Sequence, residues 1–205
     1  MEDAASRWVT RWAHLVAPGG AVLDVAAGSG RHARWFAARG FAVLAVDRDT
    51  QALDALAALA PSEPIQTLAA DLENGAPWPL PDRTFDAVVV TNYLHRPLFG
   101  HLLGALAPGG VLIYETFAAG NASVGKPSNP AFLLEPGELL EAVRGHLRVI
   151  GYEDGFVESP RPAYVQRICA VRVPESVDPP GGASGEKALT IGNTPSGPPR
   201  FALPG

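Results

Sequence analysis

Val22-Leu23-Asp24-Val25-Ala26-Ala27-Gly28-Ser29-Gly30 is the stretch that decides the fold. A short apolar run carries one acid, breaks into small residues and ends on two glycines, and helical spacing begins at Arg31. The pattern predicts a strand, a tight glycine turn and a helix, with a backbone bare enough for a nucleotide-like ligand to lie against it. Asp47 stands seventeen residues past Gly30, at the end of the next apolar run, Phe41 to Val46. An acid at that place is where a ribose would be held.

Working outward, strands and helices alternate. A leading helix is expected over residues 4–16, with Trp8 and Trp12 at helical spacing, stopped by Pro18-Gly19-Gly20. Strands are expected at 21–25, 41–46, 65–69, 85–90 and 111–115, with helices at 31–39, 51–60 and 97–107 between them. Strand–helix alternation with buried apolar strands implies a parallel sheet covered on both faces. After Glu115 the rhythm changes to a loop rich in Gly, Asn and Pro, then a short helix, 136–143. Two extended runs follow, 147–153 and 163–173, and the link between them is too short for a parallel crossover. The sheet is therefore expected to finish antiparallel.

The 205 residues suit one domain with a real core, and 47% of them are hydrophobic. A net charge of −5 gives no general attraction to phosphate backbones, so nucleic acid is not an expected partner. The single cysteine, Cys169, excludes an internal disulfide and fits a reducing compartment. No basic-then-apolar leader and no membrane-length apolar run is visible, so a cytoplasmic, membrane-free protein is expected. From Pro174 the composition turns to Pro, Gly, Ser and Thr. The expected organisation is thus a folded domain, 1–173, and a disordered tail, 174–205.

Gly28-Ser29-Gly30-Arg31-His32-Ala33 also satisfies the loose dinucleotide fingerprint. Asp24 inside the first strand, the lack of a second domain and the antiparallel ending all count against that assignment.

At this point the chain resembles the class I S-adenosylmethionine-dependent methyltransferases, over roughly residues 8–173. The resemblance rests on five ordered motifs: residues 22–30; Ala45-Val46-Asp47-Arg48-Asp49; Ala70-Asp71-Leu72; Phe85-Asp86-Ala87-Val88-Val89-Val90-Thr91-Asn92; and Leu106-Ala107-Pro108-Gly109-Gly110-Val111-Leu112. Ala26 stands where the family usually has glycine. The run Gly-Ser-Gly-Arg-His is similar to small-molecule methyltransferases of the tellurite-resistance type. The resemblance implies a Rossmann-like α/β fold, a doubly wound seven-stranded mostly parallel sheet with an antiparallel C-terminal hairpin. It also implies S-adenosylmethionine as cofactor, no metal, and methyl transfer to a small-molecule acceptor. Methyl transfer to RNA or protein, and a non-catalytic cofactor-binding role, are the rival functions. The acceptor and the oligomeric state are left open.

The cofactor-binding set implied is Asp24, Ala26, Gly28, Gly30, Arg31, Asp47, Arg48, Asp71, Leu72 and Asn92. Gly28 and Gly30 would let the backbone approach the methionine part, and Asp24 would hold its ammonium, directly or through water. Asp47 would take the ribose hydroxyls; Asp71, with the Leu72 backbone, the adenine amino group. The alternative reading of Asp71 is an acid closing a turn, and Arg31 is equally read as a solvated side chain rather than a partner of the cofactor carboxylate. Tyr93, His95 and Glu115 are the catalytic candidates at the ends of strands four and five. His95 or Glu115 would serve as base where the acceptor carries a proton, and Tyr93 would orient the acceptor. The long loop 117–135, with Lys126, is expected to close over the site.

Overall fold

The computed structural model describes residues 4–59 and 64–174; of the expected tail, 174–205, all but residue 174 lies outside the described residues. Its elements in chain order are α1 (Arg7–Trp12), β1 (Ala21–Val25), α2 (Arg31–Ala37), β2 (Ala42–Asp47), α3 (Thr50–Leu59), β3 (Ile65–Ala69), β4 (Phe85–Thr91), α4 (Phe99–Gly104), β5 (Leu106–Phe117), α5 (Glu138–Val143), β6 (Arg148–Val157) and β7 (Ala163–Val171). The seven strands form one sheet in the order β3-β2-β1-β4-β5-β7-β6. The first five run parallel, and β7 pairs antiparallel with both β5 and β6. The antiparallel finish expected from the short link between the runs 147–153 and 163–173 is thus present, with β6 continuing to Val157 and shortening the link to 158–162.

Alternation along the strands sorts the core into two layers. Val22, Val43, Ala45, Ala87, Val89, Val111 and Ile113 meet Trp8, Val9 and Trp12 of α1, Ala33 and Phe36 of α2, and Leu53 and Leu56 of α3. On the other face Leu23, Val25, Val88, Val90, Leu112 and Tyr114 meet Leu102 and Leu103 of α4 and Leu139 and Val143 of α5. Phe36 is fully buried with Trp35 and Phe41 edge-on to it. Truncating such a ring costs about 3–5 kcal/mol.

Three further elements differ in length from expectation for a local reason. The first helix starts only at Arg7, because the Ser6 hydroxyl caps it by accepting from the Trp8 N–H, and after Trp12 it tightens into a 3₁₀ turn. The helix expected over 97–107 is split, with a 3₁₀ turn at Arg96–Leu98 holding Pro97 before α4 begins. Pro108-Gly109-Gly110, expected to separate a helix from a strand, lies inside a much longer β5. The register to β4 slips there, and Gly109 and Gly110 exchange hydrogen bonds with Arg172.

The chain steps outward from β1 to β3, then returns to lay β4 on the other side of β1. That reversal opens a crevice beyond the carboxyl ends of β1 and β4, where α/β sheets of this kind place their ligands. No helix among the described residues is long and apolar enough to cross a membrane.

Candidate functional site

The turn after β1 is built from left-handed backbone. Ala26, Gly28 and Gly30 have φ of 53°, 54° and 73°. Its two glycines serve different ends. A Cβ built at Gly30 would lie 2.5 Å from the Leu56 side chain, so Gly30 is required by the packing of α3. A Cβ at Gly28 would meet nothing within 4 Å, so this backbone faces open space. Asp47, at the end of β2, reaches across: Oδ2 accepts from the Gly28 N–H at 2.7 Å, and Oδ1 from the Asp49 N–H at 2.9 Å. The bare glycine face and the acid expected to hold a ribose are thereby fixed to each other. An adenosine group with its hydroxyls toward Asp47 would occupy the space that a side chain at Gly28 would fill.

Asp24 is buried in β1, between Ala45 of β2 and Val89 of β4. Its Oδ2 accepts from the Ala33 N–H of α2 at 3.0 Å. Burial pushes its pKa up to about 7, against the pull of the Ala33 amide and the Arg31 guanidinium, with the Asp47 charge adding to the rise. A buried carboxylate with one amide partner is electrostatically incomplete, and a cationic ligand group would complete it.

The other candidates divide between two sides of the crevice. Asp71 closes a turn, Oδ1 accepting from the Glu73 N–H at 2.9 Å, and its carboxylate stays exposed. Tyr93 is turned toward this side. Its backbone carbonyl accepts from the Tyr114 hydroxyl at 2.8 Å, and its phenol is held above its ordinary pKa by burial first, then by Glu73 and Asp71, with Arg48 opposing. The loops after β2, β3 and β4 therefore converge on Tyr93. Asn92 has φ of 54° and donates its N–H to the Glu115 carbonyl. His95, half-buried, opens the 3₁₀ turn at Arg96–Leu98.

Glu115 sits elsewhere. It is buried, accepts from the Ser6 hydroxyl at 2.6 Å and is paired with Arg167. Arg167 also pairs with Glu153 at 3.0 Å, and Glu153 with Arg11 at 3.4 Å. Thr91, Glu115, Arg167 and Glu153 are in register across β4, β5, β7 and β6, so one polar row crosses four strands beneath α1. His32 of α2 joins it: Nε2 accepts from the Ser6 N–H at 3.1 Å, and Nδ1 lies 3.5 Å from the Thr91 hydroxyl. Burial, assisted by Arg31, lowers the His32 pKa to about 3, so the ring is neutral.

Sequence reading gave no role to Ser6, His32, Arg167 or Arg96. The first three are joined by contacts across long sequence separations, and only a serine before the Trp8 amide and the His of Gly-Ser-Gly-Arg-His hinted at them. Arg96 grips Glu138 with two nitrogens, at 2.7 and 2.9 Å, and donates to the Ala131 and Leu133 carbonyls. It ties the loop after β5 to the end of β4. Among the described residues no cluster of three or more His, Cys, Asp or Glu side chains could hold a metal ion.

Comparison with known proteins follows from this geometry. Residues 22–110 match a family described as a methyltransferase domain. No curated protein matches the sequence. Among solved structures, TehB from Haemophilus influenzae is similar with a TM-score of 0.70 and 19% identity. That match takes in 82% of this chain, which spans 62% of the length of TehB. A glycopeptide N-methyltransferase, MtfA, solved with S-adenosyl-L-methionine, has a TM-score of 0.57 and 20% identity, with 80% of this chain and 92% of that one covered. The [4+2]-cyclase SpnF has a TM-score of 0.65 and 16% identity, covering 82% of this chain and 78% of its own. At these identities the likeness is one of fold.

Proposed function

We propose that this protein transfers the methyl group of S-adenosylmethionine to a small-molecule acceptor, a reading supported by the match of residues 22–110 to a methyltransferase-domain family and by the Rossmann-like sheet in which they are set. The observation that carries the reading is the joined pair of Gly28, open to the crevice, and Asp47, bonded to its amide. Bound S-adenosylmethionine supplies an electrophilic methyl on sulfur, transferred by in-line displacement, so most of the catalytic demand is positioning. Asp47 would keep the Gly28 amide and use its remaining lone pairs on the ribose hydroxyls. Asp24 would meet the α-ammonium, and Asp71 and Tyr93 would border the adenine side.

For the acceptor side we assign His95 as base where the nucleophile carries a proton. Glu115 is assigned as an anchor, because Ser6 and Arg167 already engage its carboxylate. A small acceptor is favoured over RNA by the net charge of −5 and by Thr91-Asn92-Tyr93-Leu94 after β4, which lacks the Asn/Asp-Pro-Pro-aromatic run of many base amino-group methyltransferases. The test is incubation with methyl-labelled S-adenosylmethionine and fractionated cell metabolites, then separation by size. Label in small products is the expected result. Label confined to RNA or protein overturns the acceptor class, and tight binding without turnover on any fraction overturns catalysis.

A further inference from the structure

The first described residues take an unusual path. Residues 4–6 run from the start of α2, where Arg31 reaches the Ala4 carbonyl at 3.5 Å, to the carboxyl ends of β4 and β5. Their partners stand on α2, directly after the β1 turn, and on β5 at Glu115, the register partner of Thr91 at the end of β4, so the segment crosses from the β1-turn side to the β4 end. Ser6 secures that path by three bonds of its own. Its N–H donates to His32, its hydroxyl donates to Glu115, and the same oxygen accepts from the Trp8 N–H. Behind it, Glu115 is held by Arg167, and Arg167 by Glu153. A helix cap needs only the last of the three bonds at Ser6. The other two attach the segment to one residue from each side of the crevice, α2 and β5.

We propose that Ser6 is a positioning residue: by bridging His32 and Glu115 it holds residues 4–6 as a wall along the crevice and so retains the bound cofactor. This rests on the methyltransferase reading. The wall contributes no chemistry to the transfer; it closes the side of the site next to the β1 turn. Removing the hydroxyl leaves Glu115 short of a donor and frees the segment to swing, which speeds cofactor escape more than it changes entry.

Stopped-flow tryptophan fluorescence tests this, with S-adenosylhomocysteine as the probe and Trp8, two residues from Ser6, as a reporter. Loss of a hydrogen bond to a charged group is expected to make S6A release the probe about tenfold faster, with association within threefold of wild type. S6T, which restores the hydroxyl, should return to within twofold of wild type. S6D retains an oxygen to cap Trp8 but repels Glu115, so it should release at least as fast as S6A, and it answers the question if S6A fails to fold in a thermal melt. Release by a folded S6A or S6D at the wild-type rate overturns the assignment, as does equal acceleration in S6A and S6T. Wild-type protein that does not bind the probe removes the methyltransferase reading and this one with it. Wild-type binding with an insensitive Ser6 removes this one alone.

Discussion

With Asp24 assigned, as proposed, to the ligand's ammonium, cofactor binding should depend on pH in a calculable way. Burial raises its pKa from 3.8 to about 7 in the unliganded protein. A carboxyl raised in this sense keeps a proton that the unfolded chain has released, so it costs the unliganded fold stability as pH climbs from about 4 to about 7. An α-ammonium group brought beside it reverses the preference, because the ion pair requires the carboxylate. At pH 6 about one carboxyl in eleven is ionised, and at pH 5 about one in a hundred, each pH unit corresponding to about 1.4 kcal/mol. S-adenosylhomocysteine, which retains the ammonium, should therefore bind about tenfold more weakly at pH 6 and about a hundredfold more weakly at pH 5 than on the plateau above pH 8. Titration calorimetry in two buffers of different ionisation enthalpy should report nearly one proton released per ligand at pH 6. Asp24→Asn should bind weakly at every pH with the slope abolished. A Kd that is flat from pH 5 to pH 8, or an unchanged slope in Asp24→Asn, would refute the assignment of Asp24 to the ammonium.

Asp47→Ala strands the Gly28 amide and removes the proposed ribose partner, so S-adenosylhomocysteine affinity should fall by about 1–3 kcal/mol in a folded protein, read by calorimetry. The two turn glycines should separate: Gly30→Ala must displace Leu56, whereas the Cβ of Gly28→Ala meets no protein atom, so at a similar backbone cost from positive φ Gly30→Ala should lower the melting temperature more and Gly28→Ala should weaken ligand binding more than it destabilises the fold. His95→Ala should leave cofactor affinity within threefold while slowing turnover on any acceptor found by the labelling experiment, and Glu115→Gln, which still offers Ser6 an oxygen, should slow it less. His32 has a pKa depressed from 6.5 to about 3, so the stability it contributes is present above pH 6.5 and falls by about 1.4 kcal/mol per pH unit as acid is added below that. Thermal melts of His32→Gln should be less acid-sensitive than wild type over pH 4–6.

The sheet was legible because its central strands β1, β2, β4 and β5 are largely buried and read as apolar runs, and because an acid stands within or just after each of the first three strands. Asp24, Asp47 and Asp71 each signal through a local sequence of a few residues. What the chain did not disclose is whatever depends on register across strands. Glu115 reads as a free acid at a strand end until β7 lays Arg167 opposite it, a pairing set by an antiparallel hairpin some fifty residues on. Tyr93 reads as an acceptor-side residue until its neighbours prove to be Asp71 and Glu73, which lie beyond β1 and β2 in the sheet order. Gly109-Gly110 reads as a helix stop but is accommodated as an irregularity within β5, because Arg172 supplies the partners that such a turn would otherwise lack.

Asp24 and His32 are linked by more than their places on β1 and α2. Arg31 acts on both, lowering the pKa of the acid and of the imidazole alike. Their titrations oppose each other. As pH falls from about 7 toward 4 the unliganded fold gains from protonation of Asp24, and over nearly the same interval it loses because His32 stays neutral while the unfolded chain takes up a proton. The pair thus flattens the response of the unliganded protein to acid. An ammonium at Asp24 would remove one side of that balance: the carboxylate would stay ionised, the gain on acidification would vanish, and the His32 cost would stand alone. The cofactor-loaded protein would therefore be the more acid-sensitive in slope, even where it is the more stable in absolute terms. The residue that carries this sensitivity is the one that accepts the Ser6 amide.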